Sequence, residues 1–309
     1  MDSIKVFAPA TVANVACGYD VLGFALQEIG DELIIRKTSG PGLTITEIHG
    51  SDELSKDADQ NVVTVATQDM LNALGKPGLG FEFELTKKVK PGSGLGSSAS
   101  SSAAAVFGVN RLLDEPFTKK ELVQFAMEGE KLASGVPHAD NVAPSLLGGF
   151  TFIRSYNPLD VLQLDYPQEL CATVVHPQIE IKTSDAKRML KQQIELRDAI
   201  VQWGNLGGLI HGLSKGDFDL IGRSLNDVIA EPIRGILIPG FQEAKVRSKQ
   251  NGALGCSISG SGPSIFALSR GMKKAQIVAE TFRSLFEEIG LESYVHVSPI
   301  NPKGAEVLK

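Results

Sequence analysis

Between Lys90 and Ser102 the chain reads KPGSGLGSSASSS, a run suited to holding a phosphate. Pro91 opens a loop, glycines stand at 92, 94 and 96, and serines lead into an alanine-rich helix. Glycine lets the backbone turn tightly and lets a ligand reach the main-chain N–H groups. The start of the helix adds unpaired N–H groups and the positive end of its dipole. A nucleotide phosphate is the anion such a loop would take. The loop is not a Walker A, because no Gly-Lys-Ser/Thr closes it. Its G-x-G-x-x-S approximates the dinucleotide fingerprint, but the third glycine is missing, and Asp114 follows the helix directly rather than ending a second strand. A glycine turn before an ordinary helix is the plain alternative.

A second group of residues could carry charge into the same region. Thr118 and Glu121 form a capping-box pattern that starts a helix near Thr118. Leu122, Phe125, Ala126 and Ala133 then give helical apolar spacing, which puts Glu130 on the inward face and turns Glu128 away. A carboxylate on an apolar face needs a compensating partner, either a cation or a basic side chain. Magnesium takes hard oxygen ligands, and Ser98 and Glu130 supply plausible ones. A salt-bridged structural glutamate is the alternative. Asp20, before Val-Leu-Gly, reads on its own as a turn residue.

The elements around these residues follow an order that a nucleotide site needs. Phe81-Glu-Phe-Glu-Leu85 alternates strictly and predicts a half-buried strand running straight into the glycine loop. A first strand is expected over Ile4–Ala8. Further on come strand-like runs Phe150–Arg154 and Cys171–His176, then helices over 185–203, 205–214 and 217–228. After a second glycine loop come strand Ser264–Ser269, helix 273–288 and strand Tyr294–Ser298. Strands and helices mix with few clean β-α-β repeats, which predicts an α+β layering. A domain boundary is expected near Tyr156-Asn-Pro158, dividing the chain into 1–160 and 161–309.

Composition sets the outer bounds. The chain has 309 residues, 42% hydrophobic and 21% charged, with a formal net charge of −6. Such a balance disfavours nonspecific binding to nucleic acid or to an anionic membrane, so an anionic ligand must be drawn by a local site. Three scattered cysteines (Cys17, Cys171, Cys256) fit a reducing compartment better than a disulfide framework. With no apolar run of membrane length and no signal-peptide pattern, a cytoplasmic enzyme is expected.

The stretch Pro91-Gly92-Ser93-Gly94-Leu95-Gly96-Ser97-Ser98-Ala99 resembles P-x-G-x-G-L-G-S-S-A, the signature of the GHMP kinases, in the version carried by the homoserine kinases of that family. The resemblance implies a two-domain GHMP kinase α+β fold with the nucleotide in the cleft between the domains. It assigns ATP phosphates to residues 91–99 and Mg2+ to Ser98 and Glu130, the latter eight residues before His138. His138-Ala-Asp140-Asn141-Val-Ala-Pro144 is similar to the family's H-x-D-N-V-A-P. There Asn141 stands where other members place a catalytic aspartate, and an amide cannot take the proton. The resemblance therefore implies catalysis by positioning and charge, while Asp140 keeps a general-base reading open. His138 is either a polar residue holding its loop or a substrate contact.

Several other segments extend the resemblance. Pro9-Ala-Thr-Val-Ala-Asn14 and Gly18-Tyr19-Asp20 are similar to the first family motif, with Tyr19 where phenylalanine is usual; Asn14 and Asp20 would face an amino-acid substrate, and Asp20 suits its ammonium. Glu231-Pro-Ile-Arg234 is similar to E-P-x-R, whose arginine can grip a carboxylate with its fork. In Thr183-Ser-Asp-Ala-Lys187-Arg188 the family arginine position holds Lys187, so either Lys187 or Arg188 would serve, with Thr183 donating nearby. Gly255–Ser264 is similar to the third motif, and either approaches the phosphate loop or simply supports it. Asn61 is an adenine contact or a helix cap. The reaction implied is phosphorylation of the L-homoserine hydroxyl in threonine biosynthesis; a homodimer is left open. The rivals are another GHMP small-molecule kinase, a nucleotide-binding sensor on the same fold and, from G-x-G alone, a nicotinamide oxidoreductase.

Overall fold

The computed structural model describes residues 2–179, 189–190 and 193–308. Strands β1 (Ser3–Ala13), β2 (Leu22–Thr38), β3 (Gly42–His49), β4 (Gly80–Thr86), β5 (Phe150–Tyr156) and β6 (Leu159–Leu164) build the first sheet. Its spine is β1-β2-β4-β3; β5 pairs with the start of β2, and β6 with β5. The pair β3–β4 is parallel and the others are antiparallel. The second sheet, in the order β10-β7-β9-β8, is antiparallel throughout and uses β7 (Leu170–Pro177), β8 (Ala253–Ile258), β9 (Ile265–Arg270) and β10 (Ser293–Pro299). The chain then returns to the first sheet, where β11 (Glu306–Leu308) pairs antiparallel with β1.

The alternating segment behaves as its pattern predicts. Phe81, Phe83 and Leu85 of β4 are buried, while Glu82 and Glu84 on the other face are partly exposed. On the same side of the sheet α2 (Ser97–Leu112) packs on β1 and β2 and is covered almost all round. Ala99, Ala103, Ala104 and Ala105 make that possible, because small side chains let neighbouring elements approach closely. Helices α1 (Val62–Ala73) and α3 (Leu122–Ser134) pack beside it, and the short α4 (Val142–Leu147) closes the layer.

An apolar cluster joins the two sheets. Phe24 of β2 packs against Phe150 of β5, with ring centroids 4.9 Å apart, and against Phe266 of β9 at 5.8 Å. Ala10, Val12, Val174 and Leu268 belong to the same cluster. A fully buried phenylalanine stabilises by about 1.5–3 kcal/mol, so this contact fixes how the halves meet. The expected boundary at residue 160 falls inside β6, and the second sheet begins with β7.

Four expectations change. The first strand is longer than Ile4–Ala8. Of the helices expected over 185–203 and 205–214, residues 185–188 and 191–192 lie outside the described residues, and the described part forms one helix, Leu196–Lys215, that runs through Gly204; isolated glycine only weakens a helix. The helix over 217–228 stops at Ser224. Beyond it Asp227 accepts hydrogen bonds from the amides of Ile229, Ala230 and Glu231 at 2.8–3.1 Å and turns the chain. The capping box forms, with Thr118 N donating to Glu121 Oε2 at 2.7 Å and Glu121 N to Thr118 Oγ1 at 3.3 Å, but the regular helix starts at Leu122.

Candidate active site

Between the sheets lies a cleft of about 310 Å3 that gathers most of the residues singled out by sequence. Its walls include Asn14, Asp20, Asn61, Pro91, Gly92, Gly94, Gly96, Ser97, Ser98, Glu130, His138, Asp140, Asn141 and Arg234. A volume of this size suits a small-molecule site. Ser93, Leu95 and Ala99 are not on its wall: all three are buried, Leu95 and Ala99 in the apolar clusters. Thr183, Lys187 and Arg188 lie outside the described residues.

The phosphate loop links β4 to α2. Gly96, at the start of α2, has φ +65°, and no side chain caps the helix. The first-turn N–H groups are thus left for an anion. A Cβ on Gly96 would stand 2.1 Å from Thr11 Oγ1 and 2.8 Å from Asn141 Oδ1, so glycine is required by space as well as by backbone angle. At Gly94 the second glycine loop closes in. A Cβ there would lie 2.6 Å from the Ser259 carbonyl oxygen, and Ser259 Oγ donates to the Gly94 carbonyl at 2.7 Å. Gly255–Ser264 therefore does approach the phosphate loop.

Asn61 takes the capping role, accepting from Val63 N at 3.0 Å and donating to the Ser55 carbonyl at 2.7 Å. It also stands on the cleft wall, which brings the start of α1 to the cleft.

At the helix start Ser98 Oγ donates to Glu130, 2.8 Å from Oε2 and 3.1 Å from Oε1. Glu130 is nearly covered, as the periodicity of α3 predicts. Hydroxyl and carboxylate together offer the hard oxygens that magnesium prefers, so the donor set fits that ion.

The other end of the cleft is built by strained backbone. Asn14, Val15 and Ala16 follow β1 with φ of 69°, 40° and 59°, and Asp20 has φ 57°. Left-handed geometry at a β-branched residue such as Val15 is costly and persists only where the surroundings enforce it. Here Asn14 supplies the hold: its Oδ1 accepts from Asp20 N at 2.9 Å, and its Nδ2 donates to the Gly260 carbonyl at 2.8 Å. Arg234, buried, donates to the same carbonyl at 3.3 Å and to the Tyr19 hydroxyl at 3.0 Å, with its guanidinium over the Tyr19 ring. Tyr19, the departure from the usual phenylalanine, thus uses its hydroxyl on Arg234. Asp20 Oδ1 lies 3.7 Å from His138 Nδ1.

Beside them Thr11 Oγ1 donates to Asn141 Oδ1 at 2.8 Å, which leaves the amide NH2 as the donor of Asn141. Burial, and then the negative charges of Asp20 and Glu130, push the Asp140 carboxyl up to about 8. A carboxylic acid so raised is a proton holder near neutral pH.

Sequence reading missed Asp31 and Lys87. Lys87 lines the cleft beneath the loop and is paired with the buried Asp31 of β2.

Two family models match the chain: the GHMP kinases N terminal domain over residues 61–149 and the GHMP kinases C terminal domain over 209–288. A homoserine kinase of Chlorobium phaeobacteroides is 48% identical, with all of both chains covered. The crystal structure of a homoserine kinase from Cytophaga hutchinsonii superposes with a TM-score of 0.96 at 52% identity, covering 100% of this chain and 98% of that one. The L. major mevalonate kinase shares the fold, with a TM-score of 0.71 at 18% identity over 96% of both chains. With both halves matched and identity near one half over the whole length, the chain belongs to the GHMP kinase family, in its homoserine kinase branch.

Proposed function

We propose that the protein transfers the γ-phosphoryl group of ATP to the side-chain hydroxyl of L-homoserine, giving O-phospho-L-homoserine and ADP. The observation that carries this reading is the pairing of two unlike subsites in one cleft: an amide-rich loop for a polyphosphate, and Asp20 with Arg234 for a zwitterion. Arginine suits the substrate carboxylate, and Asp20 its ammonium. Asn14 and His138 hold Asp20 in place from either side.

Phosphoryl transfer asks for positioning and charge stabilisation more than covalent help. The amides at the start of α2 face the charge that develops on the transferred group, where preorganised donors count most. Asn141 offers its NH2 and cannot accept the hydroxyl proton. Asp140, one residue away and on the cleft wall, is raised to about 8 and can take that proton when it is ionised. Ser98 and Glu130 would hold Mg2+. Bound there, it would supply neutralisation of the phosphate charge.

The test is ADP release with Mg-ATP, comparing L-homoserine with mevalonate, galactose and L-threonine. Turnover on homoserine and not on the others supports the reading. Turnover on another alcohol would keep the phosphate site and overturn the substrate pocket. Tight ATP binding without turnover on any of them would make the chain a nucleotide sensor.

A further inference from the structure

One carboxylate holds both feet of the phosphate loop. Asp31 lies in β2 and is fully buried. Its Oδ1 accepts from the amides of Lys88 and Val89, each at 3.0 Å. Its Oδ2 accepts from Ser101 Oγ at 2.8 Å, from Ser100 Oγ and from Lys87 Nζ. Lys87 completes the bracket by donating to Ser101 Oγ at 2.9 Å and to the Ser97 carbonyl. Ser97 Oγ in turn donates to the Val89 carbonyl at 2.7 Å. Residues 87–89 are the strand-side foot and 97–101 the helix-side foot; the glycine loop is strung between them.

We propose that Asp31, with Lys87, is a positioning residue for phosphoryl transfer. It fixes the spacing of the two feet and so aims the first-turn amides of α2 at the triphosphate. The argument is one of saturation and cost. A carboxylate has about four lone-pair sites, and here five donors converge on them from two separate stretches of chain, 87–89 and 100–101. A buried ion pair is a poor way to gain stability, since apolar residues of similar volume often do as well. What such a pair gives that apolar packing does not is a fixed direction for each bonded group. Lys87 is the one member of the pair that lines the cleft, so the charge of the pair nearest the nucleotide is positive.

The inference rests on the proposed ATP site, and the test separates the two. Dissociation constants for ADP, KM values for Mg-ATP and for homoserine, and Tm are measured for wild type, Asp31→Asn, Ser100→Ala and Asp31→Asn/Lys87→Met. Asp31→Asn keeps an acceptor for the two backbone amides and loses the ammonium arm. Ser100→Ala removes one of the five donors to Asp31, together with a bond to the Ser97 carbonyl, from a residue off the cleft wall, and guards against a fold that fails in Asp31→Asn. Misplaced loop amides predict a rise of about tenfold or more in the ADP dissociation constant and Mg-ATP KM for Asp31→Asn, and about twofold to fivefold for Ser100→Ala. Homoserine KM should stay within about twofold in both. The double variant leaves no unpaired buried charge, so it should regain Tm but not nucleotide affinity. Lower Tm with unchanged nucleotide affinity in the folded variants would overturn the proposal, as would recovery of both in the double variant. Wild-type protein that binds no ADP would instead overturn the ATP site itself.

Discussion

Ser98 Oγ stands 2.8 Å from Glu130 Oε2 and 3.1 Å from Oε1, a contact that joins the first turn of α2 to the later turns of α3. The contact presents a hydroxyl and a carboxylate to the same corner of the cleft.

Glu130→Gln keeps the size of the side chain and an acceptor for Ser98 but removes the charge. We expect kcat to fall by about 10^2–10^3-fold, the scale of losing one major electrostatic element. ADP binding measured with excess chelator should be unchanged. A magnesium titration of the residual activity checks the assignment: a midpoint that does not move would remove Glu130 from the metal site.

Gly96→Ala tests the close approach at the helix start. The new Cβ would meet Thr11 Oγ1 at 2.1 Å in a backbone with φ +65°. Such a change costs more than about 1 kcal/mol of stability, and kcat/KM for ATP should drop more than about tenfold. Adding Thr11→Ala opens the space and should recover part of the loss. Thermal melts and steady-state kinetics on the single and double variants read both effects.

Arg234→Lys keeps the positive charge and gives up the fork. Homoserine KM should rise about tenfold to a hundredfold, with Mg-ATP KM unchanged. Equal rises in both KM values would place Arg234 in structural support of the cleft instead.

His176 gives a pH dependence with a definite sign. It is buried on β7, 3.2 Å from Ser264 Oγ. Burial, then the charges of Lys90 and His296, hold it at about 4, down from 6.5. The folded protein keeps this histidine neutral while the unfolded chain protonates it near 6.5. The stability it contributes is therefore present above pH 6.5 and is lost as pH falls towards 4. Urea unfolding across that window should show a falling midpoint, and His176→Gln should flatten the slope.

How much of this was legible in the sequence depends on whether a signal is local. The glycine loop, the inward Glu130 and the cap at Asn61 are written in short segments, and each can be read from period and residue type. The sequence expectation has two helices with a break at 204, whereas Leu196–Lys215 runs as one helix through Gly204, because a lone glycine weakens a helix without ending it. Asp31 was invisible for another reason. A buried aspartate in a strand carries the same letter as a solvated one, and its meaning comes from Lys87 and Ser101, 56 and 70 positions away. Arg234 could be found by motif. The turn that aims it depends on Asp227, which the sequence pattern assigned to a helix.

The return of β11 to β1 pairs Lys5 with Leu308 and Phe7 with Glu306. On the ribosome, residues 3–13 emerge long before 306–308, so the growing chain carries a strand edge whose neighbour has yet to be made. Exposed edges invite pairing with other chains, and contacts so far apart in sequence form late. Vectorial synthesis therefore leaves the first sheet open until the second has been translated. Removing residues 306–308 would make that unfinished edge a permanent property of the released protein.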